Sequence, residues 1–567
     1  MNRLSLLNLS LPDGKKNNFD TLCENFQWDI PDELNIAELV CSRHAKGANQ
    51  LALIAESESG PAQRYSFDEI DQLSNQLANA FKQLGITRGD RVAVVLPQRL
   101  ETALVHLAAQ KLGAVSLPLS VLFGDEALQF RLADSQSRLV VTNKQRASLL
   151  ESIRADLPAL EHIVCVGNEA PAELASPPID DSLADCFWRH LTQASSSPVQ
   201  VTTYKDDPAF LLYTSGTTGP PKGALVPQRA LIGNLTGFEL SHNGFPQTND
   251  CVFTPADWAW TGGLLDALLP AWYYGVPVVG YDAKKFDAAK VASLMSRHKV
   301  TCAFIPPTAL KMMRAVPDLF VDYPSSIRSI MSAGEAVGEE LLYWGRQALN
   351  IDINEMCGQT EHNYLMGNCS AIMEVRAGSM GKAYPGHRVA IMGADGQLLP
   401  AGEQGEIVAH CDDPVHFLGY FNNPEATAAK YSGQWFHTGD VGYADDAGYL
   451  WFVGRADDVI SSAGYRIGPG EIEDCVMQHP SVLQVAAIGV PDPQGLRGDV
   501  VKLCIVPRQG VVPDVSLSDA IRDQVRNKLA AYEYPRIIEF YDALPMTTTG
   551  KVKRRDLRAQ HIDALDS

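Results

Sequence analysis

The stretch Tyr213-Thr-Ser-Gly-Thr-Thr-Gly-Pro-Pro-Lys-Gly223 follows directly on the apolar run Ala209–Tyr213. A short apolar run of this kind reads as a buried strand. The loop it feeds carries glycines at Gly216, Gly219 and Gly223, hydroxyls at Thr214, Ser215, Thr217 and Thr218, and a cation at Lys222. Glycines let backbone N–H groups approach an oxyanion, the hydroxyls add donors and the lysine adds positive charge, so the stretch reads as a phosphate cradle. It is not a Walker loop, which needs Gly-Lys followed by Ser or Thr. Here Pro221 precedes Lys222 and Gly223 follows it. A surface linker is the bland alternative, but linkers rarely show this order after a buried strand.

Upstream, the apolar positions Ile70, Leu73, Leu77, Phe81 and Leu84 fall at helical spacing behind a cap at Ser66 or Asp68, and Gly85 supplies a left-handed stop. Residues 91–96 predict a strand, 101–112 a helix ending at Gly113, 114–119 a strand, 125–134 a helix and 138–142 a further strand. Ala194–Pro198 reads as a loop ahead of the strand at 209–213. Downstream the alternation resumes with a strand at 277–281, a helix at 288–297 and a strand at 301–305. This grammar predicts an α/β fold of βαβ-type, largely parallel sheets covered by helices. Past Gly378 the composition shifts to Gly, Asp and β-formers, which predicts a β-rich subdomain. After about Arg455 a smaller α+β unit is expected, with helices at 471–479 and 516–529 and strands at 485–490 and 500–506. The expected division is 1–454 as a large N-terminal domain and 455–567 as a small C-terminal one.

A chain of 567 residues is long enough to need more than one core. Its apolar fraction of 46% and charged fraction of 20% are those of an ordinary globular protein. A formal charge of −20 argues against a nucleic-acid partner, which would call for a basic face. No run of about 18 apolar residues occurs, so no membrane span is expected, and the first 18 residues lack the continuous apolar stretch of a secretory signal. Eleven cysteines stand singly with no C-x-x-C pair, which fits reduced thiols and a cytoplasmic location better than disulfides or zinc.

Further motifs follow in order: Ser332-Ala-Gly-Glu-Ala336, Asn354-Glu-Met-Cys-Gly-Gln-Thr-Glu361, Trp435-Phe-His-Thr-Gly-Asp440, the run from Gly454 to Ile467, and Pro545-Met-Thr-Thr-Thr-Gly-Lys551. With the loop at 213–223, they resemble the signatures of the adenylate-forming superfamily, which includes acyl-CoA synthetases, luciferases and peptide-synthetase adenylation domains. The resemblance spans the chain from the helix near Ile70 to Lys551.

It implies a site for ATP and Mg²⁺. Thr214, Ser215, Gly216, Thr217, Thr218, Gly219 and Lys222 would meet phosphate, while Gly334, Glu335 and Ala336 would line adenine and acyl group. Cys357, Gly358 and Gln359 would lie beside the adenine, Thr360 would contact phosphate, and Glu361 would hold Mg²⁺. Cys357 departs from the pattern, since relatives usually carry an aromatic there that packs on the base. Asp440 would accept hydrogen bonds from both ribose hydroxyls, which an ionised carboxylate can do. Arg455 would contact ribose, Arg466 phosphate, and Lys551 would serve adenylation. Asp457 would be the hinge of a mobile C-terminal domain that brings Gly464 to the thiol channel.

The implied reaction joins a carboxylic acid to AMP, releases pyrophosphate, and passes the acyl group to a thiol. Coenzyme A is expected as that thiol, because no carrier domain follows, and Arg526 lies where related synthetases contact CoA. Ala256-Asp-Trp-Ala-Trp-Thr-Gly-Gly263 resembles the acyl pocket of short- and medium-chain acyl-CoA synthetases, with Trp260 and Gly263 as pocket residues. A free-standing enzyme that loads a carrier protein and a luciferase-like oxygenase share these motifs and stand as alternatives.

Overall fold

The strand at the head of the phosphate loop runs from Pro208 to Thr214, and Ala209–Tyr213 are buried as their apolar character requires. The structure, a computed structural model, describes residues 5–7, 19–58, 60–167, 186–214, 221–462, 465–492, 499–529, 533–547 and 551–566, the side chains of residues 461, 465, 466, 471 and 564–566 excepted. The described residues fall into two compact units. One holds the chain up to Thr214 with 220–388 and 410–430; the other holds 389–409 and 431–567.

In the first unit, Pro208–Thr214 lies in a sheet ordered Gly419–Tyr420, Lys222–Pro227, Pro208–Thr214, Val115–Pro118, Arg91–Val95, Leu139–Asn143, His162–Val166. Its pairings are parallel from Pro208–Thr214 to His162–Val166 and antiparallel on the other side, where Thr214 stands opposite Lys222. A second run of strands places Ile353–Gln359, Ser329–Ser332, Cys302–Phe304, Val252–Phe253, Val278–Asp282 and Leu51–Ser57 side by side and parallel. Antiparallel strands flank it, Gly60–Ser66 at one end and His362–Gly367 at the other.

The helix Phe67–Gln83 begins at Ser66 in a full capping box with Glu69, and Gly85 takes a φ of +83° to end it. The helices Leu100–Lys111 and Ala230–Ser241 are buried on every face. Such helices lie inside a layered α/β core rather than on its surface. Their charges are paired. Glu101 meets Arg99 at 2.7 Å, Lys111 meets Asp71 at 2.7 Å, and Glu239 accepts from Ser5 Oγ, Leu6 N and Tyr274 Oη.

The second unit contains strands in the order Val389–Met392, Gly405–His410, Trp435–Ala444, Leu450–Arg455, which is the β-rich segment expected past Gly378. It also contains an antiparallel pair, Val482–Pro491 and Asp499–Pro507, extended in parallel by Ile537–Phe540. The helices Pro469–Met477 and Val515–Lys528 cover this small sheet through Ile472, Val476, Ile521 and Val525. The expected α+β elements are therefore present, each within a few residues of its sequence reading. No described helix is long and apolar enough to cross a membrane.

One helical stretch of the first unit is irregular. The turn Thr261–Gly263 opens into a π-helical segment, Leu264–Leu268, before α-helix resumes over Leu269–Tyr273. Asp266 sits in the π segment and accepts from Asn363 Nδ2 at 2.5 Å. Burial, only partly offset by that hydrogen bond, pushes the Asp266 carboxyl up to about 7. Between the ordinary carboxylate range and pH 7 the folded chain keeps a proton that the unfolded chain has lost. The resulting penalty is absent at low pH, grows toward pH 7 and is complete above it. Asp266→Asn should therefore raise the denaturant midpoint at pH 8, by the equivalent of about 2–4 kcal/mol, with the gain shrinking toward pH 4. Equal loss of stability at both pH values would refute this.

Candidate active site

Parallel strands leave their C-terminal ends on one edge, and ligands of open α/β sheets bind outside that edge. The sequence-selected residues of the first unit collect there. Thr214 ends Pro208–Thr214, and its Oγ1 lies 3.4 Å from the Lys222 carbonyl across the antiparallel pair. Ser215, Gly216, Thr217, Thr218 and Gly219 lie outside the described residues. The loop Gly334, Glu335, Ala336 leaves the end of Ser329–Ser332 with Gly334 at a φ of +94°, and the space where a Cβ would stand is open. Glu335 is held by Thr308 Oγ1 at 3.1 Å.

Ile353–Gln359 and His362–Gly367 pair as a hairpin in which Gln359 faces His362, so Thr360 and Glu361 form its tip. Gly358 is required there, because a Cβ would stand 2.6 Å from the Tyr364 nitrogen. Cys357 is half-buried on the strand opposite Met366. Glu361 is 8% exposed, and its Oε1 accepts from the Tyr420 hydroxyl at 2.5 Å. Phe417 N donates to the Glu361 carbonyl at 3.0 Å. Lys222 Nζ stands 5.3 Å from the centroid of the same Tyr420 ring. Tyr420 carried no signal in the sequence. Its partners are 59 residues away for Glu361 and on another strand for Lys222.

Among the described residues no cluster of three or more His, Cys, Asp or Glu could hold a metal. A lone buried carboxylate such as Glu361 is the kind of donor set to be weighed against the Mg²⁺ that the motifs imply. That donor set fits Mg²⁺, which keeps several waters and binds through one or two carboxylates plus phosphate oxygens.

Beside the hairpin tip lies a small cavity lined by Leu119, Phe123, Tyr213, Ala259, Trp260 and Thr360, among others. Phe123 and Trp260 meet edge to face with centroids 5.7 Å apart. The Tyr213 hydroxyl donates to Asp134 at 2.6 Å; burial, together with that carboxylate, drives the phenol well above its ordinary range. Gly263 does not line this cavity. It is packed against its own chain, where a Cβ would meet the Asp257 carbonyl at 2.3 Å. Phe123, which does line it, is a single aromatic in a loop and carried no motif.

In the second unit, Asp440 and Arg455 stand opposite each other in the Trp435–Ala444 and Leu450–Arg455 pair, joined at 2.8 Å. Arg455 Nε is 3.7 Å from Asp457. Gly464 and the Arg466 side chain lie outside the described residues. Lys551 is exposed, its backbone tied to Thr547 in both directions. It is followed by Arg554, which forms a fork on Glu473 with both oxygens at 2.7 Å. Arg526 is exposed, paired with Asp523 at 3.0 Å and lying over the Tyr534 ring.

Known proteins carry the same architecture. The AMP-binding enzyme family matches residues 42–421, and the AMP-binding enzyme C-terminal domain matches residues 471–551. Acyl-coenzyme A synthetase ACSM3, mitochondrial, from Rattus norvegicus is 32% identical over 569 residues, covering 95% of this chain and 93% of that protein. Acetyl-coenzyme A synthetase of Bacillus subtilis (strain 168) is 32% identical over 574 residues, covering 97% and 96%. Among solved structures, the anthranilate CoA ligase AuaEII in complex with anthranoyl-AMP superposes with a TM-score of 0.84 at 29% identity, covering 95% of this chain and 99% of that one. With both family domains matched in order over most of its length, the chain belongs to the AMP-binding enzymes.

Proposed function

We infer that this AMP-forming acid–CoA ligase activates a short- to medium-chain monocarboxylic acid. The observation that supports this is the cavity at Trp260, which abuts Thr360, the neighbour of Glu361. Among the described residues its lining is mostly apolar and aromatic, with Thr261 and Thr360 the aliphatic hydroxyls and no Lys or Arg to receive a second carboxylate. Relatives whose names specify acetate and anthranilate are consistent with a small acid.

A carboxylate is a weak nucleophile toward a triphosphate that repels it, so the enzyme must align the two and offset the charge that builds at phosphorus. Mg²⁺ bound by Glu361 would supply charge neutralisation at the phosphates. Thr214, Thr360 and Lys222 hold the phosphates, Asp440 and Arg455 hold the ribose, and Lys551 offsets charge during adenylation. The acid oxygen bonds to the α-phosphorus and pyrophosphate leaves; the CoA sulfur then bonds to the acyl carbon and AMP leaves. No protein nucleophile is needed, and the cysteines, mostly buried, fit a packing role in a reducing, cytoplasmic setting. Asp457 is the point at which the backbone turns between the two half-reactions, the boundary between residues 1–454 and 455–567.

The reading is tested by pyrophosphate release with a panel running from acetate to octanoate, with benzoate and malonate, each with and without CoA. Short or medium acids with a single carboxylate should turn over continuously only with CoA, and malonate should fail. Turnover with a phosphopantetheinyl carrier but not CoA would favour the carrier-loading alternative, and oxygen uptake the oxygenase.

Trp260→Ala should move relative kcat/KM toward longer acids by roughly 10-fold or more. An unchanged ranking would remove Trp260 from the pocket. Lys551→Ala should cut acyl-adenylate formation by about 10²–10³, yet leave thioester formation from supplied acyl-adenylate much less affected. Equal losses in both half-reactions would show that Lys551 has no role specific to adenylation.

A further inference from the structure

We propose that Tyr420 is a positioning residue that sets the metal affinity of the site by holding the Glu361 carboxylate. The inference rests on the reading that Glu361 faces Mg²⁺ and adds a residue that reading does not contain.

Tyr420 is itself held firmly. Gly419–Tyr420 pairs with Lys222–Pro227, with Tyr420 opposite Ala224. Leu418 N donates to the Leu225 carbonyl at 2.8 Å, and Phe421 N to the Gly223 carbonyl at 2.7 Å. Tyr420 N donates to Thr427 Oγ1 at 2.9 Å, and Phe417 packs edge-on against the Tyr420 ring at 5.1 Å. The ring is buried, with 7% of the residue exposed. A phenol fixed on both chain flanks and packed on its ring presents its hydroxyl to Glu361 in one place.

The hydroxyl matters because the carboxylate torsion is broad and roughly two-fold, so an unrestrained Glu samples many orientations. A donor on Oε1 fixes that plane and leaves the other oxygen to a cation. It also satisfies a buried acceptor that would otherwise pay a desolvation cost. The same ring lies beneath Lys222 Nζ at cation–π range, so one side chain engages the carboxylate with its hydroxyl and the loop cation with its face. Loss of a group that orients a metal ligand in this way typically costs about 10–100-fold in metal affinity.

Tyr420→Phe removes the hydroxyl alone and keeps the packed ring. In the full-length protein with ATP present, Mn²⁺ binding followed by electron paramagnetic resonance should weaken roughly 10–100-fold. The Mg²⁺ concentration for half-maximal acid-dependent pyrophosphate exchange should rise in parallel, while acid preference stays as in the parent. Glu361→Gln, measured beside it, separates this proposal from the reading it rests on. If Glu361→Gln binds Mn²⁺ like the parent, Glu361 is not the metal carboxylate and the underlying reading falls. If Glu361→Gln loses the metal but Tyr420→Phe binds it unchanged, the reading stands and the role of Tyr420 is overturned. A lowered melting temperature of Tyr420→Phe with unchanged Mn²⁺ binding overturns it equally, since it would show packing only.

Discussion

Keeping the Glu361 carboxylate buried at a hairpin tip is the constraint on which the first unit's site depends. A buried carboxylate is costly unless it is hydrogen-bonded. The chain meets that cost by tying four consecutive residues to three stretches of the fold. Glu361 takes the Tyr420 hydroxyl, and His362 Nδ1 meets His416 Nδ1 at 2.9 Å. Asn363 donates to Asp266, and the Tyr364 hydroxyl reaches Met331 Sδ at 3.0 Å. Side chains of a strand alternate between faces, so these ties pull on both sides and fix the hairpin's register as well as its tip. Behind His362 stands Asp413. Burial would raise its carboxyl, but the facing His387 and His362 rings hold it well below the usual carboxylate range. Burial in turn pushes His416 down to about 3, which favours the neutral ring.

These ties also connect pieces of chemistry that are far apart in sequence. Asn363 joins the hairpin to the π-helical segment at Asp266, and the same helical stretch begins just after Trp260, which lines the cavity beside Thr360. The hairpin with Glu361 at its tip and the helical stretch that follows Trp260 are thus tied directly to each other. A π turn widens the helix locally, and such turns recur at functional sites. Here it brings a carboxylate inward to meet Asn363 without a cation partner. The arrangement is tolerable because the carboxyl can remain protonated.

Much of this was legible from residues alone where the cause is local. Ser66, one of the two candidate caps, and Gly85, the left-handed stop, bound the helix Phe67–Gln83 and are both written in short range; Glu69, which completes the capping box, comes from the structure. The strand Pro208–Thr214 and the hydroxyl- and glycine-rich run after it are legible for the same reason. The helix Ala230–Ser241 is not. It is buried all round, so it shows no polar face and no amphipathic period to detect. The hairpin Leu51–Ser57 with Gly60–Ser66 escaped because part of the strand Gly60–Ser66 is exposed and polar. Gly263 belongs to a stretch that resembles an acyl-pocket region, and its lack of a side chain serves close chain packing that only the fold reveals, since a Cβ would meet the Asp257 carbonyl at 2.3 Å. Tyr420 and Phe123 escaped because a lone aromatic has no spacing to read, and their roles come from partners brought together only by the fold.

Cys357 shows how the two kinds of information combine. Motif reasoning places it beside the base, and the structure places it half-buried on the strand that leads to Thr360 and Glu361. A thiol cannot offer the broad π-face of an aromatic, so base affinity cannot come from stacking at this position. On the proposed reading, binding leans on directed contacts to phosphate and ribose, which depend on geometry more than on contact area. That shift makes the rigidity of the hairpin more consequential: the less a nucleotide is held by its base, the more its reacting phosphate relies on groups that stay where the fold puts them. The ties from Tyr420, His416, Asp266 and Met331 hold the hairpin from outside the strand that carries Cys357.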